Sequence, residues 1–194
     1  KALLRVGEET ILQFQVRVLR QLGIDRIAVV TGYRAQAVRD ALRTSVEYIH
    51  NERHAETNSL YSLGLAAPFG RDGCLVLNAD VLFDPALVSL LVDHPAPDAL
   101  LVEFGGRLGE EEMKVVTRGG IVAAISKEMD SASAEGENVG ILKFSAAGAR
   151  AVFGVAADCA RGGRWNLWTP HAVAALVGRH DFAALSTGGC PWIE

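Results

Sequence analysis

At 194 residues, with 49% hydrophobic and 22% charged side chains, the chain has the length and composition of one globular domain with a sizeable core. A net charge of −4 argues against a nucleic acid partner, which would call for a basic face. No apolar run reaches the roughly 18 residues needed to cross a bilayer, and no charged start followed by an apolar stretch marks a secretory signal. Cys74, Cys159 and Cys190 are odd in number and widely spaced, which fits neither a disulfide framework nor a zinc site and suits a reducing cytoplasm.

The first element in chain order is a predicted helix in "ETILQFQVRVLRQLG". Ile11, Leu12, Val16, Leu19 and Leu22 form one stripe, Thr10 stands at the N-cap and Gly23 at the stop. "RIAVVTGY" reads as a strand and "RAQAVRDALR" as a helix. The alternation continues with "VEYIH", "NSLYSLGLA", "CLVLNAD" and "PALVSLLVDH". Strands separated by helices of this length predict parallel pairing with right-handed crossovers. After residue 98 the pattern becomes "ALLVEF", "KVVT", "IVAAISK" and "GILKFS", with hairpin chemistry in "TRGGIV". Two helices, in "SAAGARAVFGVAADCA" and "LWTPHAVAALVG", and a strand in "FAALST" follow. The expected fold is a single α/β domain over residues 1–194, with a Rossmann-like mixed, mainly parallel sheet and helices on both faces.

In such a sheet ligands sit beyond the carboxyl ends of the strands, so three loops matter: 31–35, 50–59 and 78–84. Asp80 follows the apolar strand "CLVLNA", where a carboxylate on a rigid support suits Mg²⁺, a hard cation held by one or two carboxylates and completed by phosphate and water. The other reading of Asp80 is a turn cap. Asp84 before Pro85 reads as a helix cap. No Ser–His–Asp or Cys–His arrangement stands out, and His50, His54, His94, His171 and His180 are expected at the surface or in packing.

"KALLRVGEETILQFQVRVLRQLGIDRIAVVTGYRA", "VEYIHNERHAETNSLYSLGLA" and "VLNADVLFD", in this order and spacing, resemble the nucleotidyltransferase family in its small phosphocholine cytidylyltransferase-like branch. The resemblance implies transfer of a nucleoside monophosphate, CMP from CTP, to a small phosphorylated alcohol or phosphonate, with release of pyrophosphate and use of Mg²⁺. It assigns Asp80 to the metal and Lys1 to phosphate contact, and places Asn58, Ser59 and Asn78 beside the nucleotide. Ala2 stands where the family commonly has Pro. The family's Gly-rich triphosphate loop belongs about twenty residues before Lys1, and its second metal acid belongs after a "WIE" motif, here ending at Glu194. Both are therefore expected to lie outside these residues, in a longer protein.

Such a transfer needs no general base, because a phosphate monoester with a second pKa near 6 is already an anion at pH 7; charge neutralisation and in-line positioning are what the protein supplies. The acceptor side is expected from Tyr33, Lys127 and Trp168, and from Glu137, Asn138 and Gly140 in "EGENVGILKFS", which resembles the family's segment lining that side. Lys127 reads equally as a phosphate contact or a solvated charge. Trp165 and Trp168, three apart, read either as core packing or as faces for a quaternary ammonium, worth about 0.5–2 kcal/mol. An aminated acceptor and a polyol, sugar or inositol phosphate both remain open, as does a non-catalytic nucleotide-binding or sugar-nucleotide-binding module. A metal-dependent glycosyltransferase shares the acid after a strand but does not predict "ETNSLYSL".

Overall fold

A computed structural model of the chain describes residues 1–106 and 108–194. A two-residue hairpin, β1 (Arg5–Val6) with β2 (Glu9–Thr10), leads into helix α1 (Ile11–Gln21). Thr10 starts the helix as expected: its hydroxyl accepts from Gln13 N at 3.2 Å while the Gln13 side chain accepts from Thr10 N at 2.8 Å, a reciprocal capping box. β3 (Ala28–Thr31), α2 (Ala35–Leu42) and β4 (Glu47–His50) form a βαβ unit whose two strands pair in parallel. α3 (Ser59–Leu65), the short α4 (Ala67–Gly70), β5 (Gly73–Leu77), β6 (Leu82–Phe83) and α5 (Pro85–Asp93) come next. Asp84 caps α5, accepting from Ala86 N at 2.9 Å, with Pro85 in the first turn.

The second half supplies β7 (Ala99–Phe104), β8 (Lys114–Arg118), β9 (Ile121–Ser126), β10 (Gly136–Ser145), α6 (Ala146–Arg161), α7 (Pro170–Leu176), β11 (Ala183–Ser186) and β12 (Trp192–Ile193). Gly119 and Gly120, both at positive φ, make the β8–β9 turn that "TRGGIV" predicted. The main sheet runs β5-β10-β7-β11-β9-β8.

The expected mixed α/β sheet is present, but its balance of directions differs. β7–β11 and β3–β4 are parallel; β10 runs antiparallel to β5, β7 and β8, and β9 runs antiparallel to β8 and β11. The cause is β10, a ten-residue strand that inserts between β5 and β7 against the direction of both.

Helices cover both faces. Leu101, Ile141 and Leu185 point to one core with Leu12 and Val16 of α1 and Leu87 and Leu91 of α5. Leu100, Val102 and Leu142 point to the other, with Leu60 of α3 and Val152 and Phe153 of α6. This explains the unbroken apolar run in "ALLV": strands covered on both faces bury every residue and do not alternate.

β3 and β5 do not pair with one another. Between them lies a cleft of about 640 Å³, lined by residues 28–30 of β3 and by every residue of β5. Arg26, just before β3, stacks 4.2 Å over the ring of Phe69 in α4, just before β5, so the two strands start side by side and their carboxyl ends lie at the other end of the cleft.

Candidate active site

The carboxyl end of the cleft is built by the loop that leaves β5. Asn78 N donates to Gly140 O at 2.9 Å, continuing the β5–β10 ladder by one step. Gly140 has φ +81° at a register shift in β10, and a Cβ there would stand 2.5 Å from Asn78 Nδ2. Gly140 therefore makes room for the Asn78 amide.

Asp80 is half-buried at the cleft. Its loop is held from α1: the Gln15 amide, itself buried, donates to Asn78 O at 2.9 Å and to Val81 O at 2.7 Å, so the backbone is clamped on both sides of the acid. Gln15 was not among the residues expected at the site. Its only sequence signal is a polar residue at a buried position of an otherwise apolar stripe.

The opposite wall is the start of α3, stitched to the segment before α7. Asn58 N donates to Trp165 O and Leu60 N to Leu167 O, both at 3.0 Å, and Thr169 N donates to Ser59 Oγ at 2.8 Å. The Asn58 side chain accepts from Ser59 N at 2.8 Å and donates to Asn166 at 3.3 Å. Asn58 and Ser59 line the cleft, and much of their polar capacity holds the segment that carries Trp168 beside them.

The two tryptophans diverge. Trp165 lies under Arg53, 3.6 Å from guanidinium to ring centroid, and donates to Ala160 O at 2.9 Å, so it does not pair with Trp168 as a cage. Trp168 is 44% exposed, and Lys127 Nζ sits 5.1 Å over its ring. Lys127 also lies 3.5 Å from Glu111, and its backbone carbonyl accepts from the buried Lys114 ammonium at 2.8 Å.

Beside this pair is a group of carboxylates. Glu137 of β10 stands across from Glu103 of β7 and Lys114 of β8. Burial first, then the neighbouring charges of Glu112, Glu194 and Glu103, push its carboxyl above the ordinary glutamate range; Lys127 pulls the other way. Glu103 accepts from Thr187 Oγ1 and from Trp192 Nε1, the latter at 3.3 Å. Asn138 is buried, and its Oδ1 has no hydrogen-bond partner among the described residues.

Glu194, named in the sequence only as the end of "WIE", reaches the cleft because β12 pairs with β6, Trp192 opposite Phe83 and Ile193 opposite Leu82. Asn58, Ser59, Asn78, Asp80 and Trp168 thus share one cleft. Lys127, Glu137 and Asn138 lie outside its lining and connect to it through the Trp168 face and the Glu194 charge. Lys1 is exposed, Tyr33 is 79% exposed on the loop after β3, and neither lines the cleft.

An α/β sheet with an acid beyond a strand end is a recurrent arrangement, and comparison with known proteins decides between its owners. Residues 1–188 match the model of the MobA-like NTP transferase domain. The chain belongs to that family. Among curated members of related sequence, a choline-phosphate cytidylyltransferase of Haemophilus influenzae is 37% identical over 93 residues, 43% of this chain and 36% of that protein. A CMP-5'-(3-aminopropyl)phosphonate synthase of Streptomyces rubellomurinus is 29% identical over 105 residues, 52% of this chain and 17% of that protein. The NTP transferase domain described here thus aligns with about a third or less of these relatives' lengths.

Solved structures share its fold over the whole chain. A CTP:phosphocholine cytidylyltransferase from Streptococcus pneumoniae superposes with a TM-score of 0.80 at 20% identity, covering 100% of this chain and 82% of that one. An inositol-1-phosphate CTP transferase from T. maritima gives 0.79 at 19% identity, covering 100% and 79%.

Proposed function

We propose that the chain is the catalytic domain of a cytidylyltransferase, binding CTP beyond the carboxyl ends of β3 and β5 and transferring CMP to a small phosphorylated acceptor that carries an amine or quaternary ammonium, with release of pyrophosphate. The observation that carries this reading is that Asp80 and the exposed Trp168 line the same cleft, with Lys127 linking the Trp168 ring to the carboxylates around Glu137. A phosphate group meets the acid end and a cation meets the aromatic and acidic side. Both curated relatives bear names with aminated products or substrates, which supports the same acceptor class.

The side chains present suit Mg²⁺. Among the described residues no three His, Cys, Asp or Glu groups converge on one point. Asp80 at the strand end and Glu194 on the same cleft offer instead the one or two carboxylates that this ion takes when phosphate oxygens and water complete its shell. Once bound, Mg²⁺ supplies charge neutralisation for the triphosphate. The chain's own contribution is position: Gln15 fixes the loop that carries Asp80, and the α3 cap fixes Trp168. The three free thiols suit a reducing compartment, and we place the enzyme in the cytoplasm on that ground.

A polyol phosphate acceptor is the second reading, favoured by the unpartnered Oδ1 of Asn138, an acceptor for a hydroxyl group.

Calorimetric titration of the purified protein with CTP, UTP, GTP and dTTP, each with Mg²⁺, tests the nucleotide. CTP is expected to bind most tightly. Asp80→Asn is expected to keep the melting temperature and to weaken Mg·CTP at least about tenfold. Unchanged affinity would remove Asp80 from the metal, and a large loss of melting temperature would make it a structural cap.

A further inference from the structure

Lys127 closes β9 at the mouth of the acceptor side. Its backbone is fixed, because its carbonyl takes the shortest of the three hydrogen bonds from the buried Lys114 ammonium, at 2.8 Å against 3.4 Å to Glu110 O and to Glu112 O. Its side chain is held far less firmly. Nζ meets the open face of Trp168 at 5.1 Å, and its ion pair is with Glu111, whose side chain is 95% exposed, at 3.5 Å. Lys127's own side chain is 28% exposed, but a pair whose acid is this open to solvent adds little, since solvent screens it and two flexible side chains must be ordered to make it.

The Lys127 ammonium nevertheless occupies a specific place. It stands over the aromatic ring, and its charge acts on Glu137, on which Glu112, Glu194 and Glu103 also act with negative charge. A cation on the exposed ring of Trp168 beside these carboxylates is the environment expected for the positive group of an aminated acceptor. A four-carbon stem rooted at a fixed backbone and tethered by weak contacts can swing aside without disturbing the sheet.

We propose that Lys127 is a built-in cation standing in the acceptor's positive-charge position, so that an acceptor ammonium binds by displacing it and this residue sets the preference between cationic and neutral phosphorylated acceptors. The proposal rests on the acceptor side described above and adds a specificity residue to it. Its physical basis is competition. While Lys127 is in place the carboxylates are already neutralised in part, and an incoming ammonium gains only the difference between its own interaction with the ring and that of the lysine. A neutral acceptor neither competes for the ring nor gains from clearing it.

The test uses the protein with Lys127→Met, which keeps the stem and removes the charge, and Lys127→Arg, which keeps the charge. Two cationic probes, phosphocholine and tetramethylammonium chloride, and one neutral-headed control, glycerol 3-phosphate, are titrated against tryptophan fluorescence. Lys127→Met is expected to bind both cationic probes about three- to tenfold more tightly than the parent, with glycerol 3-phosphate unchanged, and Lys127→Arg is expected to stay near the parent. Adding Trp168→Leu to Lys127→Met should cancel the gain.

Weakening of phosphocholine and glycerol 3-phosphate together would make Lys127 a phosphate ligand and overturn the proposal. A fall in melting temperature with no change for either cation would overturn it too, leaving Lys127 a structural counterion. The tetramethylammonium arm reads the cation position with no phosphate or nucleotide present. Failure of the cytidylyltransferase reading, seen as absent Mg·CTP binding, is therefore separable from failure here.

Discussion

Gln15 shows how much of the site depends on a side chain with no chemistry of its own. It lies on the buried stripe of α1 between Leu12 and Leu19, and its amide hydrogens both go to carbonyls of the loop that carries Asp80. Gln15→Met keeps much of the volume and removes both donors, leaving two carbonyls without them. Chemical denaturation is expected to show a loss of about 1–3 kcal/mol, the cost of leaving buried polar groups unpaired, and Mg·CTP binding should weaken as the loop loosens. A stability loss with no effect on nucleotide would separate the clamp from the site. The position of Asp80 beyond a strand and the cap at Asp84 were legible because their signals are local: an acid just after an apolar run, and an acid just before Pro. Gln15 was not, because its partners lie 63 and 66 residues away and no local rule assigns a polar residue in a stripe to a particular loop. Glu194 was missed for the same reason, since a pairing between two-residue strands brings it to the cleft.

At the scale of elements, one buried acid joins three of them. Asp98, just before β7, accepts from Ser145 N at 2.7 Å and Ser145 Oγ at 3.0 Å, and lies 2.9 Å from His180 Nε2. Ser145 in turn caps α6, accepting from Gly148 N at 3.1 Å. A Cβ on Gly148 would stand 1.8 Å from Asp98 Oδ1, so the helix can approach the acid this closely only with glycine there. Asp98→Ala should cost about 2–4 kcal/mol in denaturant unfolding, because it unmakes the pins on α6 and on the start of β11 together. A loss below about 1 kcal/mol would mean that Ser145 caps the helix without help. Most element positions followed from periodicity and caps, as in α1, α5 and the β8–β9 turn. The long β10 did not. Glu137, Asn138 and Gly140 break its alternation, so its first half read as a loop, and no local pattern places a strand between two partners distant in the chain.

At the scale of the molecule, two cores on opposite faces of one sheet make the centre firm, while the cleft divides the small β3–β4 ladder from the six-stranded sheet. That division has a consequence for how fast backbone protons trade with solvent. β7 lies between β10 and β11, so its amides open only when the whole structure does. Among the described residues β3 and β5 have a paired neighbour on one side only. Their amides on the cleft side need no such opening. In deuterium exchange the cleft-side amides of β3 and β5 should label about a thousandfold faster than those of β7, and Mg·CTP should slow labelling mainly around residues 77–80. Equal protection across the three strands would show that the facing edges of β3 and β5 are paired in solution. Within residues 1–194 the fastest exchange is thus expected along the facing edges of β3 and β5, and the slowest one strand beyond, behind β10.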